Sequence, residues 1–243
     1  MTRKVLNRLY NRWCRARLKK ALPGIHSELA DYAQQSDTTG TQWATLWWAV
    51  HGILTYKPSE VLECGTGAST LVLSAAVQKL RDADPAYTGR VTSMESVREW
   101  YDIAAAKLPE KYRDTAAIIH GPRELYEVGM FRGYIHGNIP PADYDFVFLD
   151  GPYFSDDRGS AFCADVFRAM ELSSAPLIRG VIDGRLSSGF VLQCLFGPRA
   201  VRYWRVFMTA TFRLRNQDLT VPANSSDFRS GITGRLSFRK FRE

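Results

Sequence analysis

Residues 60–77, Glu60-Val-Leu-Glu-Cys-Gly-Thr-Gly-Ala-Ser-Thr-Leu-Val-Leu-Ser-Ala-Ala-Val77, constrain the fold of this chain more than any other stretch. Val61 and Leu62 begin a short apolar strand that ends in an acid, Glu63. Gly65 and Gly67 then make a tight turn, and Ser69-Thr70 opens an apolar helix. Such a turn sets backbone N–H groups and a helix N-terminus around a small polar ligand. The ligand is not expected to be a dinucleotide. Glu63 would repel a pyrophosphate, and Thr70 stands where the G-x-G-x-x-G pattern needs its third glycine. A carboxylate two residues before the first glycine suits a ligand with a cationic part. A Gly-rich strand-to-helix turn with no ligand would give the same local pattern, so the rest of the chain has to decide.

Strand and helix signals alternate along the chain, as they do in an α/β fold with a parallel sheet. Ser36–Gln42 is a polar break, and Thr41 is the expected N-cap of a helix through Trp43, Leu46, Trp47, Val50 and Leu54. The helix after the glycine turn runs to about Arg81. Arg90–Glu95 is a second strand ending in an acid, followed by Ser96-Val-Arg-Glu99, a capping box for a helix over Trp100–Leu108. Thr115–His120 reads as a third strand closed by Gly121-Pro122, a helix or loop covers Arg123–Tyr134, and residues 137–141 turn. Asp145–Asp150 has no polar interruption between its two acids, as expected for the buried centre of a parallel sheet. Asp165–Leu172 suits a helix, Pro176–Asp183 a strand and Gly189–Phe196 a helix. Tyr203–Met208 and Thr211–Leu214 are too close for a crossover helix and should pair as a hairpin at a sheet edge. The tail from Ser225 carries Phe228, Leu236, Phe238 and Phe241 among arginines and reads as a last strand or a loosely held end.

Four strands thus end in an acid: Glu63, Glu95, Asp150 and Asp183. Ligands of open parallel sheets bind outside the carboxyl ends of the strands, so these groups should converge on one crevice. Glu95 is placed to accept two hydrogen bonds from ribose hydroxyls, because a carboxylate is acceptor-only and bidentate; as a plain helix-start acid it would be favoured by the macrodipole. Asp150 precedes Gly151-Pro152, a turn that projects its carboxylate over the sheet. Asp183-Gly184 is the weaker signal, since turns at strand ends commonly carry Asp-Gly. His120 reads as a satisfied polar residue rather than a base, and His51 and His136 have no partner visible in the sequence.

Charge divides the chain. Residues 1–27 hold eight Lys and Arg and no acid, residues 28–198 hold 14 basic and 22 acidic side chains, and residues 199–243 hold ten basic and three acidic. An acidic body with basic ends is not the pattern of a dedicated nucleic-acid binder. Residues 4–20 put Val5, Leu9, Trp13 and Leu18 near one helical face, with Leu6 and Tyr10 beside them and Pro23-Gly24 as the stop. Such a basic amphipathic helix either docks on the body by its apolar side or lies on an anionic membrane through residues 3–20. The four scattered cysteines make a disulfide framework or a zinc site unexpected and point to a reducing cytosol. Neither a membrane span nor a signal-peptide run is read in the sequence. The length of 243 residues fits one large α/β domain, residues 41–243, preceded by a basic arm, residues 1–40.

Val61-Leu-Glu-Cys-Gly-Thr-Gly-Ala-Ser-Thr70, Ser93-Met-Glu-Ser96 and Asp145-Phe-Val-Phe-Leu-Asp-Gly-Pro152 resemble, in order, the successive motifs of class I S-adenosylmethionine-dependent methyltransferases. The likeness spans residues 41–215. It implies a three-layer Rossmann-like fold, with a seven-stranded, mostly parallel sheet and a C-terminal antiparallel hairpin. It also implies S-adenosylmethionine as cofactor. Glu63, Gly65, Gly67 and Ser69 would line the methionine part, Glu95 would hold the ribose, Ser96 would also bind the cofactor, and His120-Gly121 would lie near the adenine. Asp150 would face the transferred methyl group or the substrate and serve as the base for an oxygen nucleophile. His120 departs from the acid or amide that the family often has near the adenine. Asp150 and Asp183 resemble positions that hold magnesium in catechol-type members, but Gly184 stands where those have an amide ligand, so no metal is expected. Trp43, Trp47, Tyr153 and Phe154 fit a small-molecule or glycan acceptor. The competing function is a non-catalytic module of the same fold docking on an anionic membrane or glycan surface.

Overall fold

The computed structural model describes residues 3–34, 42–153, 155–156, 159–204 and 207–221. Two helices come first, α1 (Arg3–Ala21) and α2 (Ile25–Gln34). They are followed by α3 (Trp43–Tyr56), β1 (Glu60–Cys64), α4 (Ala68–Ala83), β2 (Arg90–Glu95), α5 (Arg98–Lys107) and β3 (Ala116–His120). Then come β4 (Arg123–Val128), β5 (Phe131–His136) and β6 (Phe146–Leu149), and three two-residue strands, β7 (Ser155–Asp156), β8 (Gly159–Ser160) and β9 (Phe162–Cys163). The chain continues through α6 (Asp165–Leu172), β10 (Ile178–Asp183), α7 (Leu186–Phe196), β11 (Val201–Trp204) and β12 (Thr209–Leu214). The main sheet has seven strands in the order β11-β12-β10-β6-β1-β2-β3. The β10, β6, β1, β2 and β3 neighbours pair in parallel, and β12 is antiparallel to both β10 and β11. The expected α/β architecture and terminal hairpin are therefore present. The hairpin strands begin at Val201 and Thr209, and Arg205 and Val206 of the expected first run lie outside the described residues.

Alternation along the strands assigns each side chain to a layer. Val61, Val91, Ala116, Phe146, Phe148 and Val181 join the core formed with α1 to α4, while Leu62, Cys64, Met94, Val147, Leu149, Ile178 and Ile182 join the core on the other face, with α6 and α7. By the same alternation Glu63, Glu95, Asp150 and Asp183 fall on the α3–α4 side. Register aligns them further. Ile182 pairs with Leu149, which sets Asp183 next to Asp150, and Cys64 also pairs with Leu149, which sets Gly65 on the other flank of Asp150.

Residues 123–134 depart from the expected helix or loop. They form the hairpin β4–β5, which joins β9 in a second, three-stranded sheet on the α6 face. Gly129-Met130 closes it as a two-residue turn with Gly129 at φ +57°, the backbone that twisted hairpins need and glycine supplies without a steric penalty. Val128, Ile135 and Phe162 carry its inner face into the core.

Two helix starts also differ from expectation. Helix α5 begins after Val97, whose N–H donates to Glu95 Oε1 at 2.8 Å, so the Ser96–Glu99 capping box is not formed. Helix α3 begins after Gln42, which makes no capping bond; Asn11 of α1 accepts from the Ala44 N–H at 3.1 Å instead. Thr41 and most of the polar break lie outside the described residues, as does the tail from residue 222.

Helices α1 and α2 bury Cys14, Leu18, Leu22, Ile25, Leu29 and Tyr32 against α3 and α4. The docked face of α1 is not the expected apolar stripe. It runs through Tyr10, Cys14 and Leu18, while Val5, Leu6, Leu9 and Trp13 stay 44%, 39%, 52% and 47% exposed. Trp48 Nε1 donates to the Tyr10 hydroxyl at 2.9 Å, and such tertiary contacts select this face over the more apolar one. No helix among the described residues is long and apolar enough to cross a membrane.

Candidate functional site

The glycine turn between β1 and α4 is built from its own neighbours. Gly65 has φ +99°, and a Cβ there would stand 3.1 Å from the Asp150 carbonyl carbon and the Gly151 nitrogen, so only glycine lets the ends of β1 and β6 approach this closely. Gly67 has nothing within 4 Å of where a Cβ would stand, which leaves open space above the turn. Thr70, in the first turn of α4, accepts from the Gly67 N–H at 3.1 Å and donates to Glu63 Oε2 at 2.6 Å. Ser93 of β2 donates to the same oxygen at 2.5 Å.

Glu63 itself is fully buried, one layer below the turn, and its Oε1 finds no partner. Burial pushes its pKa up to about 7, although hydrogen bonds from Ser69, Ser93 and Thr70 pull it back, and Glu95 adds a little repulsion. It therefore holds the turn from beneath rather than facing the crevice.

Glu95 stands higher, at the end of β2, and reaches across to the turn. Its Oε2 accepts from the Thr66 N–H at 3.3 Å and the Thr66 hydroxyl at 3.1 Å, and its Oε1 accepts from Val97. These contacts use three of the roughly four lone-pair sites of a carboxylate. Ser96 follows, half-buried. Gly121, after β3, is buried where a Cβ would run into the Gly137 carbonyl and Met94. His120 is half-buried and meets Tyr101 edge-on at 5.8 Å.

Across the turn lie Asp150 and Asp183. Asp150 follows β6, donates its N–H to the Cys64 carbonyl at 2.9 Å and keeps its side chain 41% exposed to the crevice. The desolvation of its surroundings and the charge of Asp183 push its pKa up to about 7, while Arg185 draws it down. Arg185 donates to the Asp150 carbonyl and, at 3.3 Å, to its Oδ1. Asp183 accepts from the Thr45 hydroxyl of α3 at 2.8 Å, and Thr45 in turn meets Thr209 of β12 at 2.9 Å. Burial raises the Asp183 pKa, opposed by Thr45 and Arg185.

The four strand-end acids thus converge as expected, three at the crevice floor and Glu63 beneath it. Sequence reading missed Thr66, Thr45 and Arg185. Thr66 lies inside the turn motif, but the other two carry no spacing signal. Trp47, expected near the acceptor, is instead buried in the helical layer against Trp13, and Trp43 packs against His26. Tyr153 is 66% exposed, and Phe154 lies outside the described residues. His136 does have a partner: it is fully buried, with Nδ1 3.0 Å from Asp165 Oδ2. Among the described residues no group of three or more His, Cys, Asp or Glu side chains is arranged to hold a metal ion.

No protein-family model matches the chain, and no curated protein matches it significantly in sequence. Among solved structures it is similar to the S-adenosylhomocysteine-bound methyltransferase PaMTH1 of Podospora anserina, with TM-score 0.56 and 15% identity over 89% of this chain and 97% of that one. It is also similar to the O-methyltransferase TomG of Streptomyces achromogenes, solved with S-adenosylmethionine (TM-score 0.41, 17% identity, 90% and 78% covered). A third is a putative class I S-adenosylmethionine-dependent methyltransferase of Listeria monocytogenes (TM-score 0.49, 11% identity, 85% and 71% covered). The first likeness shows that the chain shares its fold with that methyltransferase.

Proposed function

We propose that the crevice binds S-adenosylmethionine and that the protein transfers its methyl group to an oxygen of a small-molecule or glycan acceptor. One observation carries this reading. The Glu95 carboxylate spans from β2 to the glycine turn, beside the open space over Gly67 and on the same face as Asp150. That combination offers an acceptor for a ribose diol, a backbone cradle for an amino-acid end and a carboxyl toward a substrate. The fold and the ligand-bound neighbours support it.

The residues fit the cofactor. Glu95 and Ser96 would hold the ribose, Gly65, Gly67 and Ser69 would surround the methionine part, and Gly121 would sit at the adenine end. Glu63 would support the methionine end from below through Thr70. When bound, S-adenosylmethionine supplies an activated methyl group, so orientation and exclusion of water are what the protein must add. Asp150 is the base in this reading. A carboxyl with a pKa near 7 is ionised in an appreciable fraction at neutral pH and still binds a proton usefully. It takes the proton of the acceptor hydroxyl, and Arg185 keeps the carboxylate aimed at the crevice.

Calorimetric titration with S-adenosylmethionine and with its demethylated product tests the cofactor. Micromolar binding is expected, weakened about 100-fold or more in Glu95→Ala, the loss of two hydrogen bonds to a charged acceptor. Absence of binding by folded protein would end the proposal.

A further inference from the structure

The outward face of α1 has no use in the crevice, yet it exposes several large apolar side chains beside a run of cations. At roughly 100° per residue, the side chains fall into three stripes. Tyr10, Cys14 and Leu18 dock, with Asn7 and Asn11 beside them. Lys4, Arg8, Arg12, Arg15 and Lys19 form a basic stripe. Val5, Leu6 and Leu9 form an apolar stripe turned away from the docked face, with Lys20 at its far end; Trp13 borders it, 47% exposed but with its ring edge-on to Trp47 at 6.2 Å. A helix docked by one face ordinarily turns polar residues outward. Here the outward face is the apolar one.

The helix cannot roll to hide it. Asn11 caps α3, Tyr10 stacks on Phe207 at 3.6 Å and is bonded by Trp48, and Lys79 of α4 donates to the Ala21 carbonyl at 2.6 Å. Charge names the occupant. With eight Lys and Arg in residues 1–27 and no acid, a second copy of the helix would meet like charge. Nucleic acid would use the cations but leave Leu9 and Trp13 in water. Anionic lipid uses both stripes: phosphates meet the basic side chains, and the apolar ones enter the boundary between headgroups and acyl chains. Trp13, with the Arg17 guanidinium 5.4 Å over its ring, is an interfacial anchor.

We propose that α1 lies flat on an anionic membrane surface, with Val5, Leu6, Leu9 and Trp13 inserted and the basic stripe on the headgroups. The proposal stands on α1 alone and does not depend on what the crevice binds.

Flotation of the full chain with phosphatidylcholine vesicles containing about one-third phosphatidylglycerol, against phosphatidylcholine alone, tests it. Retention is expected on the anionic vesicles, lowered roughly tenfold by Leu9→Ser and again by Val5→Ser. Replacing Arg8 and Arg12 by Gln should cost roughly fivefold per cation. Thermal unfolding and S-adenosylmethionine titration of the two serine variants should match the parent, which separates this proposal from the cofactor reading. Three results would overturn it: folded protein that ignores anionic vesicles, retention that both serine variants leave intact, or a dimer that Leu9→Ser dissociates. Duplex DNA binding without vesicle binding would likewise reassign the basic stripe and end the membrane reading.

Discussion

The two sides of the crevice hold their carboxyls in opposite ways. On the β1–β2 side, Glu63 and Glu95 are buried and accept hydrogen bonds from Thr66, Thr70, Ser93 and Val97. On the β6–β10 side, Asp150 and Asp183 repel each other and share one guanidinium and one threonine hydroxyl. Glu63 and Asp150 both reach a pKa of about 7, but the routes differ. Glu63 does so by complete burial, behind donors that fix its geometry. Asp150 does so beside a like charge and open to the crevice. A carboxyl of the first kind holds a frame, and one of the second kind can exchange a proton with a ligand.

The largest effect should come from breaking the second side. In Asp150→Asn we expect turnover on an accepted substrate to fall about 10²–10⁴-fold, with S-adenosylmethionine affinity within a few-fold of the parent. The parent pH profile of kcat/KM should rise through about pH 7, and Asp183→Asn should move that rise to lower pH by removing the like charge. Unchanged turnover in Asp150→Asn would put Asp150 outside the chemistry, and the contrast between the two sides would lose its functional meaning.

Glu63→Gln probes the frame. A carboxyl whose folded pKa lies above its ordinary 4.5 keeps its proton longer in the fold than in the unfolded chain. The folded state is therefore penalised increasingly as pH rises from about 4.5 to about 7, and by a constant amount above that. Removing the charge should relieve roughly 3 kcal/mol at pH 8 and little at pH 4, offset by an amide NH₂ left where Oε1 has no partner. The measurement is thermal unfolding across pH. The melting temperature of the variant should decline less than that of the parent between pH 5 and pH 8, and parallel curves would mean that Glu63 is ionised without strain.

The same contrast explains what could be read from the sequence. The β1–β2 side is assembled within residues 63–97, so one motif with a strand-end acid downstream names nearly all of it. On the β6–β10 side only the two strand-end acids were legible. Thr45 comes from a helix 138 positions before Asp183, and Arg185 sits in a turn whose sequence says nothing about where it folds. The β4–β5 hairpin escaped for a related reason. Its turn is Gly-Met, a pair without the local preference of Asn-Gly, and its pairing with β9 is tertiary. The Ser96 capping box failed because Glu95, held by the crevice, took the Val97 N–H and set the helix start one residue later.

Asn11→Ala gives the smallest effect and the sharpest division between the sides. The Asn11 side chain accepts from the Ala44 N–H in the first turn of α3, and that turn carries Thr45 to Asp183. Loss of a cap should cost about 1 kcal/mol, seen as a modest drop in melting temperature. The glycine turn and Glu95 share no contact with Asn11, so S-adenosylmethionine affinity should stay at the parent value. The loosened α3 start should instead shift the pH rise of kcat/KM, because a weaker Thr45 bond lets Asp183 hold its proton to higher pH and relieves the repulsion on Asp150. The shift runs toward lower pH, in the same direction as Asp183→Asn and smaller. A change in cofactor affinity, with the pH rise unmoved, would show that the two sides are one mechanical unit and that their difference lies in sequence distance alone.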